Sequence, residues 1–170
     1  MLVELRPERM SGDDGDLLRL LAARVEAQDA LTRVFVCADR RDWDGLGAVL
    51  GERVVLDYTS LSGGEPAELS GDELLAAWRG ALGGFEATQH LLGSFLIETI
   101  SPSEARLQFY AIATHVLRAG HGDSTWTVAG HYDAVMQRDK AWRLTALTLH
   151  LDWSAGNQQL AALAAEGGAT

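Results

Sequence analysis

The sequence predicts an α+β fold: a cone-shaped α+β barrel whose curved antiparallel or mixed sheet packs on three N-terminal helices. Two observations carry this. Apolar residues recur at helical spacing in the first half of the chain. Residues 87–100, 104–118, 124–138 and 141–153 are instead four long segments of β character. Their separators, SPSE, AGHGD and RDK, are short enough for antiparallel hairpins. Helices gathered on one side of such a sheet make an α+β layout. A long twisted sheet must curve to pack on them, so one end of the cone can enclose a pocket.

Residues 1–15 read as a flexible segment, with an N-cap at Asp14 or Asp16, and residues 16–166 as a single domain. The first helix runs to about Arg40. Leu17, Leu21, Val25, Leu31, Phe35 and Ala38 form its apolar stripe, with Gln28 bridging one gap and Arg19, Glu26 and Arg33 opposite. DWDGLGAVL reads as a second helix capped by Asp42, with Trp43, Leu46 and Leu50 inward. ERVVLDYTSL reads as a strand and SGGEPAE as a loop. SGDELLAAWRGAL is a third helix: Ser70 and Glu73 have capping-box spacing, and Gly83 and Gly84 end it. After the four strands, NQQLAALAAE closes as a short helix.

The 170 residues suffice for one domain with a proper core, and 47% of them are apolar. The net charge of −10 argues against a nucleic-acid partner, which calls for a basic patch. No basic amphipathic helix points to a membrane surface, and neither a signal peptide nor a membrane span is expected. The single cysteine, Cys37, cannot form an internal disulfide, which fits a reducing, cytoplasmic compartment. Its place in an apolar helix makes it a buried inert thiol.

Polar residues inside apolar segments are the informative ones. Val54, Leu56 and Tyr58 share one face of the first strand; Thr88, His90 and Leu92 share one of the next; Ala111, Ala113, His115 and Leu117 share another. The alanines beside His115 leave room for something other than protein. Asp39 continues the stripe of Leu31 and Phe35, and a carboxylate there needs a partner or a pocket. Its place at a helix C-terminus is also unfavourable for an anion, which weakens the bland reading of a helix-end acid answering Arg40 or Arg41. His131 and His150 read as ordinary strand histidines and His121 as a loop residue. His90, His115 and Asp39 could form a facial metal triad, but no HxH or HxxE spacing supports one, so no metal is expected. There is no GxSxG elbow, P-loop or dinucleotide fingerprint, and no organic cofactor is expected.

DRRDWDGL (39–46) followed by LDYTS, then TQHLLG (88–93) and the histidine of ATHVLR (113–118), resemble the scytalone dehydratases and the wider SnoaL-like group of the nuclear transport factor 2 superfamily. The likeness covers about residues 25 to 153 and implies the same cone fold. It matches Asp39, Tyr58, His90 and His115 to the dehydratases' pocket acid, one of their two pocket tyrosines and their two histidines. The second tyrosine falls at Ala38 here, and the late-strand serine and asparagine fall near Tyr132 and Ala134, so these substrate contacts depart from the dehydratases' pattern. The resemblance implies dehydration of a β-hydroxy ketone, aromatic or polyketide-derived. His90 would shuttle the proton, Tyr58 would donate to the enolate, and Asp39 would pair with His115. Phe35, Trp43, Leu56, Ala113, Tyr132 and Trp153 are the expected pocket wall. A SnoaL-type cyclase, an isomerase of the ketosteroid type and a non-catalytic binding module remain alternatives. The resemblance also implies a homo-oligomer, trimer or dimer; strand faces mixing Gln108, Thr114 and Thr127 with apolar residues are compatible with either.

Overall fold

The structure, a computed structural model, describes residues 12–118 and 122–167. His121 and most of the expected flexible N-terminal segment lie outside the described residues. Helix α1 spans Gly12–Arg40, α2 Trp43–Val49, β1 Leu50–Asp57, α3 Thr59–Ser62, β2 Ala67–Ser70 and α4 Gly71–Leu82. Then follow β3 Ala87–Ser101, β4 Glu104–Val116, β5 Thr125–Arg138, β6 Trp142–Gly156 and α5 Leu160–Gly167. The sheet order is β2-β1-β6-β5-β4-β3. Among the described residues only β1 and β6 run parallel, so the sheet is mixed, and the N-terminal helices pack on it.

Local chemistry sets these boundaries. The Asp42 side chain accepts from Gly45 N–H at 2.9 Å and starts α2. Ser70 and Glu73 close the expected capping box on α4. In β4 the odd-numbered residues from Ala105 to His115 are all buried, as alternation requires of a strand with one face on the core. Phe35, Leu31, Leu46, Leu74, Phe109 and Leu147 are among the fully buried side chains where helices meet sheet.

Several expectations need correction. α1 starts at Gly12, ahead of the expected boundary at residue 16. Leu17, Leu21 and Val25 are 56%, 48% and 59% exposed, so the first two turns of the expected stripe face no core. The buried positions begin at Ala23 and continue through Ala27, Leu31 and Val34, which belong to the main apolar core. Periodicity shows that a stripe exists, not that something covers it. Two short elements were missed: α3, in the tail of the expected strand, and β2, in the expected loop. β2 has only four residues, too few for alternation to register.

Candidate active site

α1 ends where β3 begins, and the site is built at that junction. Asp39 projects from the last turn of α1 toward β3. One of its oxygens lies 2.7 Å from Nδ1 of His90 and accepts from the Thr88 hydroxyl at 2.9 Å. The other accepts from the His90 backbone N–H at 2.7 Å. Burial pushes the Asp39 carboxyl up, but the hydrogen bond and charge of His90, its N–H and the Thr88 hydroxyl outweigh that, and the net shift is down. The carboxylate is therefore ionised, Nδ1 of His90 carries the proton, and Nε2 is the nitrogen left for a ligand.

Arg41 answers the objection to an acid at a helix C-terminus. It sits in the left-handed region at φ 59. From there its Nη1 donates to the carbonyls of Ala38 and Asp39 at 2.9 and 3.1 Å and to the Thr88 hydroxyl at 2.7 Å. Its Nη2 donates to the Phe85 carbonyl at 3.3 Å. One guanidinium thus caps the helix, neutralises its negative end and fastens it to the start of β3. Sequence reading named Arg41 only as an ordinary partner for a helix-end acid and gave Thr88 no role. The adjacent arginines after the helix and the shared strand face with His90 were the available signals.

His115 is 6% exposed, packed between Phe85 and Trp126 with ring centroids 4.9 Å away on each side. Its Nδ1 donates to the Trp126 carbonyl at 3.2 Å, which places the lone pair on Nε2. Burial, then the charge of His90, lowers its pKa to about 4, so it is neutral at ordinary pH. Its centroid lies 6.0 Å from that of His90. The expected pairing of Asp39 with His115 is not formed. β3 lies beside the end of α1 and takes the carboxylate, while His115 stands one strand further in.

Tyr58, at the cap of α3, faces Tyr132 with centroids 6.3 Å apart. Burial raises the Tyr58 phenol well above its ordinary value and raises that of Tyr132 to about 12. Both are neutral hydrogen-bond donors. Tyr132 stacks on Phe109 at 5.1 Å.

These side chains converge on a cavity of about 380 Å³ between the sheet and α3, α4 and α5. His90, His115, Tyr58 and Tyr132 line it; Leu56 and Ala113 are on the wall as expected. Trp78, Phe85 and Trp126 also line it and were not anticipated. Three expected wall residues lie elsewhere. Phe35 is packed behind His90, centroids 5.2 Å apart. Trp43 lies under the Arg79 guanidinium at 5.5 Å, away from the cavity. Trp153 is 50% exposed: β5 pairs Ala129 with Trp153 but Gly130 with Leu151, and the extra residue, Asp152, turns the tryptophan outward. Cys37 is buried, with its thiol 3.8 Å from the Asp42 carboxylate and its pKa raised by burial. Among the described residues, no group of three His, Cys, Asp or Glu side chains could hold a metal ion, and no helix is long and apolar enough to cross a membrane.

Helices closing one end of a curved mixed sheet over an apolar cavity define the cone fold of the nuclear transport factor 2 type. The chain belongs to the SnoaL-like domain family, whose model matches residues 19–148. Solved structures agree in fold. A protein from Kribbella flavida, Kfla4162, is 26% identical, with a TM-score of 0.76 over 86% of this chain and 98% of its own. A candidate scytalone dehydratase from Novosphingobium aromaticivorans is 16% identical, TM-score 0.72, over 84% and 92%. A type 2 hexachlorocyclohexane dehydrochlorinase, LinA, is 16% identical, TM-score 0.69, over 82% and 92%. Among curated proteins, none matches this chain in sequence.

Proposed function

We propose that this chain is a cofactor-independent carbon–oxygen lyase that eliminates water from an aromatic or polyketide-like β-hydroxy ketone. The observation that carries the reading is the Asp39–His90 pair, which holds Nδ1 and leaves the Nε2 edge of the ring to an apolar cavity lined by two neutral phenols. The substrate carbonyl accepts hydrogen bonds from Tyr58 and Tyr132, which acidifies its α-carbon. Nε2 of His90 takes the α-proton, and Asp39 stabilises the resulting imidazolium. The enolate then reforms its carbonyl and expels the β-hydroxyl, which leaves as water with the proton returned by His90. Neutral His115 accepts a hydrogen bond from that hydroxyl at Nε2 and orients it. Both lyase names among the structural neighbours describe eliminations, which supports this chemistry over cyclisation or isomerisation.

The test is 4-hydroxy-4-phenylbutan-2-one, followed by the rise of conjugated-enone absorbance and loss of one water by mass spectrometry. Turnover by the wild type and none by a folded His90→Ala variant is expected. Equal turnover by that variant would refute the assignment, and binding without turnover would favour the binding module. Assembly belongs to the same reading. Leu91, Tyr110 and Ile112 are 67%, 58% and 42% exposed on the outer sheet face, a patch that further copies would cover in a cytoplasmic dimer or trimer.

A further inference from the structure

The mouth of the cavity is made of two helices that offer it alanines. Ala77 and Ala81 lie four apart on α4, and Ala161 and Ala165 four apart on α5. That spacing stacks each pair on one helix face, one turn apart. The two helices pack together, and a small apolar core fixes their separation. Phe85, Leu160 and Ala164 form a small core of their own, and α5 passes so close to Gly84 that a Cβ there would overlap the Ala164 carbonyl. Ala77, Ala81 and Ala165 nevertheless stay exposed. Inward of the alanines, Trp78, Phe85 and Trp126 present aromatic rings, and beyond them stand His90 and the phenols. No Asp, Glu, Lys or Arg lines the cavity among the described residues, and His115 is neutral. His90 is backed by the ionised Asp39, so the pair carries no net positive charge and an anionic ligand would lose its water without a net counter-charge. Aromatic walls favour a planar partner.

We propose that these two alanine pairs are the specificity wall of the site, a slot that seats the flat, uncharged ring end of the substrate between α4 and α5 while its reacting end meets His90. The orientation rests on the lyase reading; the slot rests on the cavity alone. Larger side chains at the four positions shorten the slot, so they select against fused rings before they touch the base.

The probe is 1-indanone, an uncharged fused-ring ketone that cannot be dehydrated, titrated into ¹⁵N-labelled protein. Expected are amide shifts at Ala81 and Ala161, and a Kd raised at least tenfold by Ala81→Leu and by Ala161→Leu. Leu163→Ala, on the outer side of α5, leaves it within twofold. 3-Oxoindane-1-carboxylate, the same ring system with a charge, binds at least tenfold more weakly. Leucine keeps helix propensity, and dispersed amide spectra establish that each variant is folded; if Ala81→Leu is not, Ala161→Leu decides. Failure of the wild type to bind indanone, unchanged affinity in the leucine variants, or equal affinity for the carboxylate overturns the proposal. Indanone seated in the slot of a protein that never dehydrates the hydroxy ketone refutes the lyase reading and leaves the slot standing.

Discussion

Acid should weaken this protein through His115 before it reaches the carboxylates. The ring is buried and neutral, with a pKa lowered from 6.5 to about 4. An unfolded chain takes up a proton on this histidine below about pH 6.5; the folded chain resists until about pH 4. Between those values unfolding gains a proton, so stability falls as pH falls. A displacement of roughly 2.5 units at about 1.4 kcal/mol each makes the full loss about 3.5 kcal/mol. Above pH 6.5 the group contributes no pH dependence, and below about pH 4 its loss is complete. The Asp39 carboxyl, shifted down, acts in the opposite sense and lower: its stabilisation is present above the unfolded value and is lost as pH falls through the folded one, below about pH 4. The two are therefore separable. Urea unfolding of wild type and His115→Gln at intervals from pH 7.5 to 4.5 is the assay. Glutamine can still donate to the Trp126 carbonyl but does not titrate in this range. Its constant cost aside, the variant should lose about 2.5 kcal/mol less across the interval, which stops short of the full loss. Parallel curves for the two proteins, or a His115 ring proton titrating near pH 6.5 in the folded state, would refute the argument.

Two further outcomes follow from the same geometry. Asp39→Asn can present an amide N–H to Nδ1 of His90, forcing the proton onto Nε2 and removing the base; turnover should fall about 10³–10⁴-fold, with the changed tautomer visible in the imidazole ¹⁵N shifts. Retention of wild-type turnover would show that Nε2 is not the base. Gly84→Ala should destabilise by about 1–3 kcal/mol, because its methyl meets the Ala164 carbonyl; denaturant titration measures this, and an unchanged midpoint would mean that α5 is free to shift.

Much of the site was legible because alternation and helical spacing assign faces. His90, His115 and Tyr58 were placed inward from strand parity, and Asp39 from its four-residue distance to Phe35. Parity does not say which strand lies next to which helix, so the partner of Asp39 was misassigned: the choice between His90 and His115 was made by β3 occupying the sheet edge beside α1. Parity also fails across an irregularity, which is why Trp153 turned outward beyond the extra residue in β6. Arg41 was hidden for another reason. Its role depends on a left-handed backbone that a sequence seldom announces in a non-glycine residue.

The strand that carries His90 is the last of the sheet; Asp39 takes the His90 N–H, but any stretch of that edge left without a partner invites another chain to add to it. Midway along, Ser94 takes a left-handed φ of 53, and the register with β4 shifts between Gly93 and Leu96. An incoming strand that paired with the first half of β3 would lose step at this kink. The irregularity therefore limits runaway strand addition, the route by which exposed edges seed aggregates.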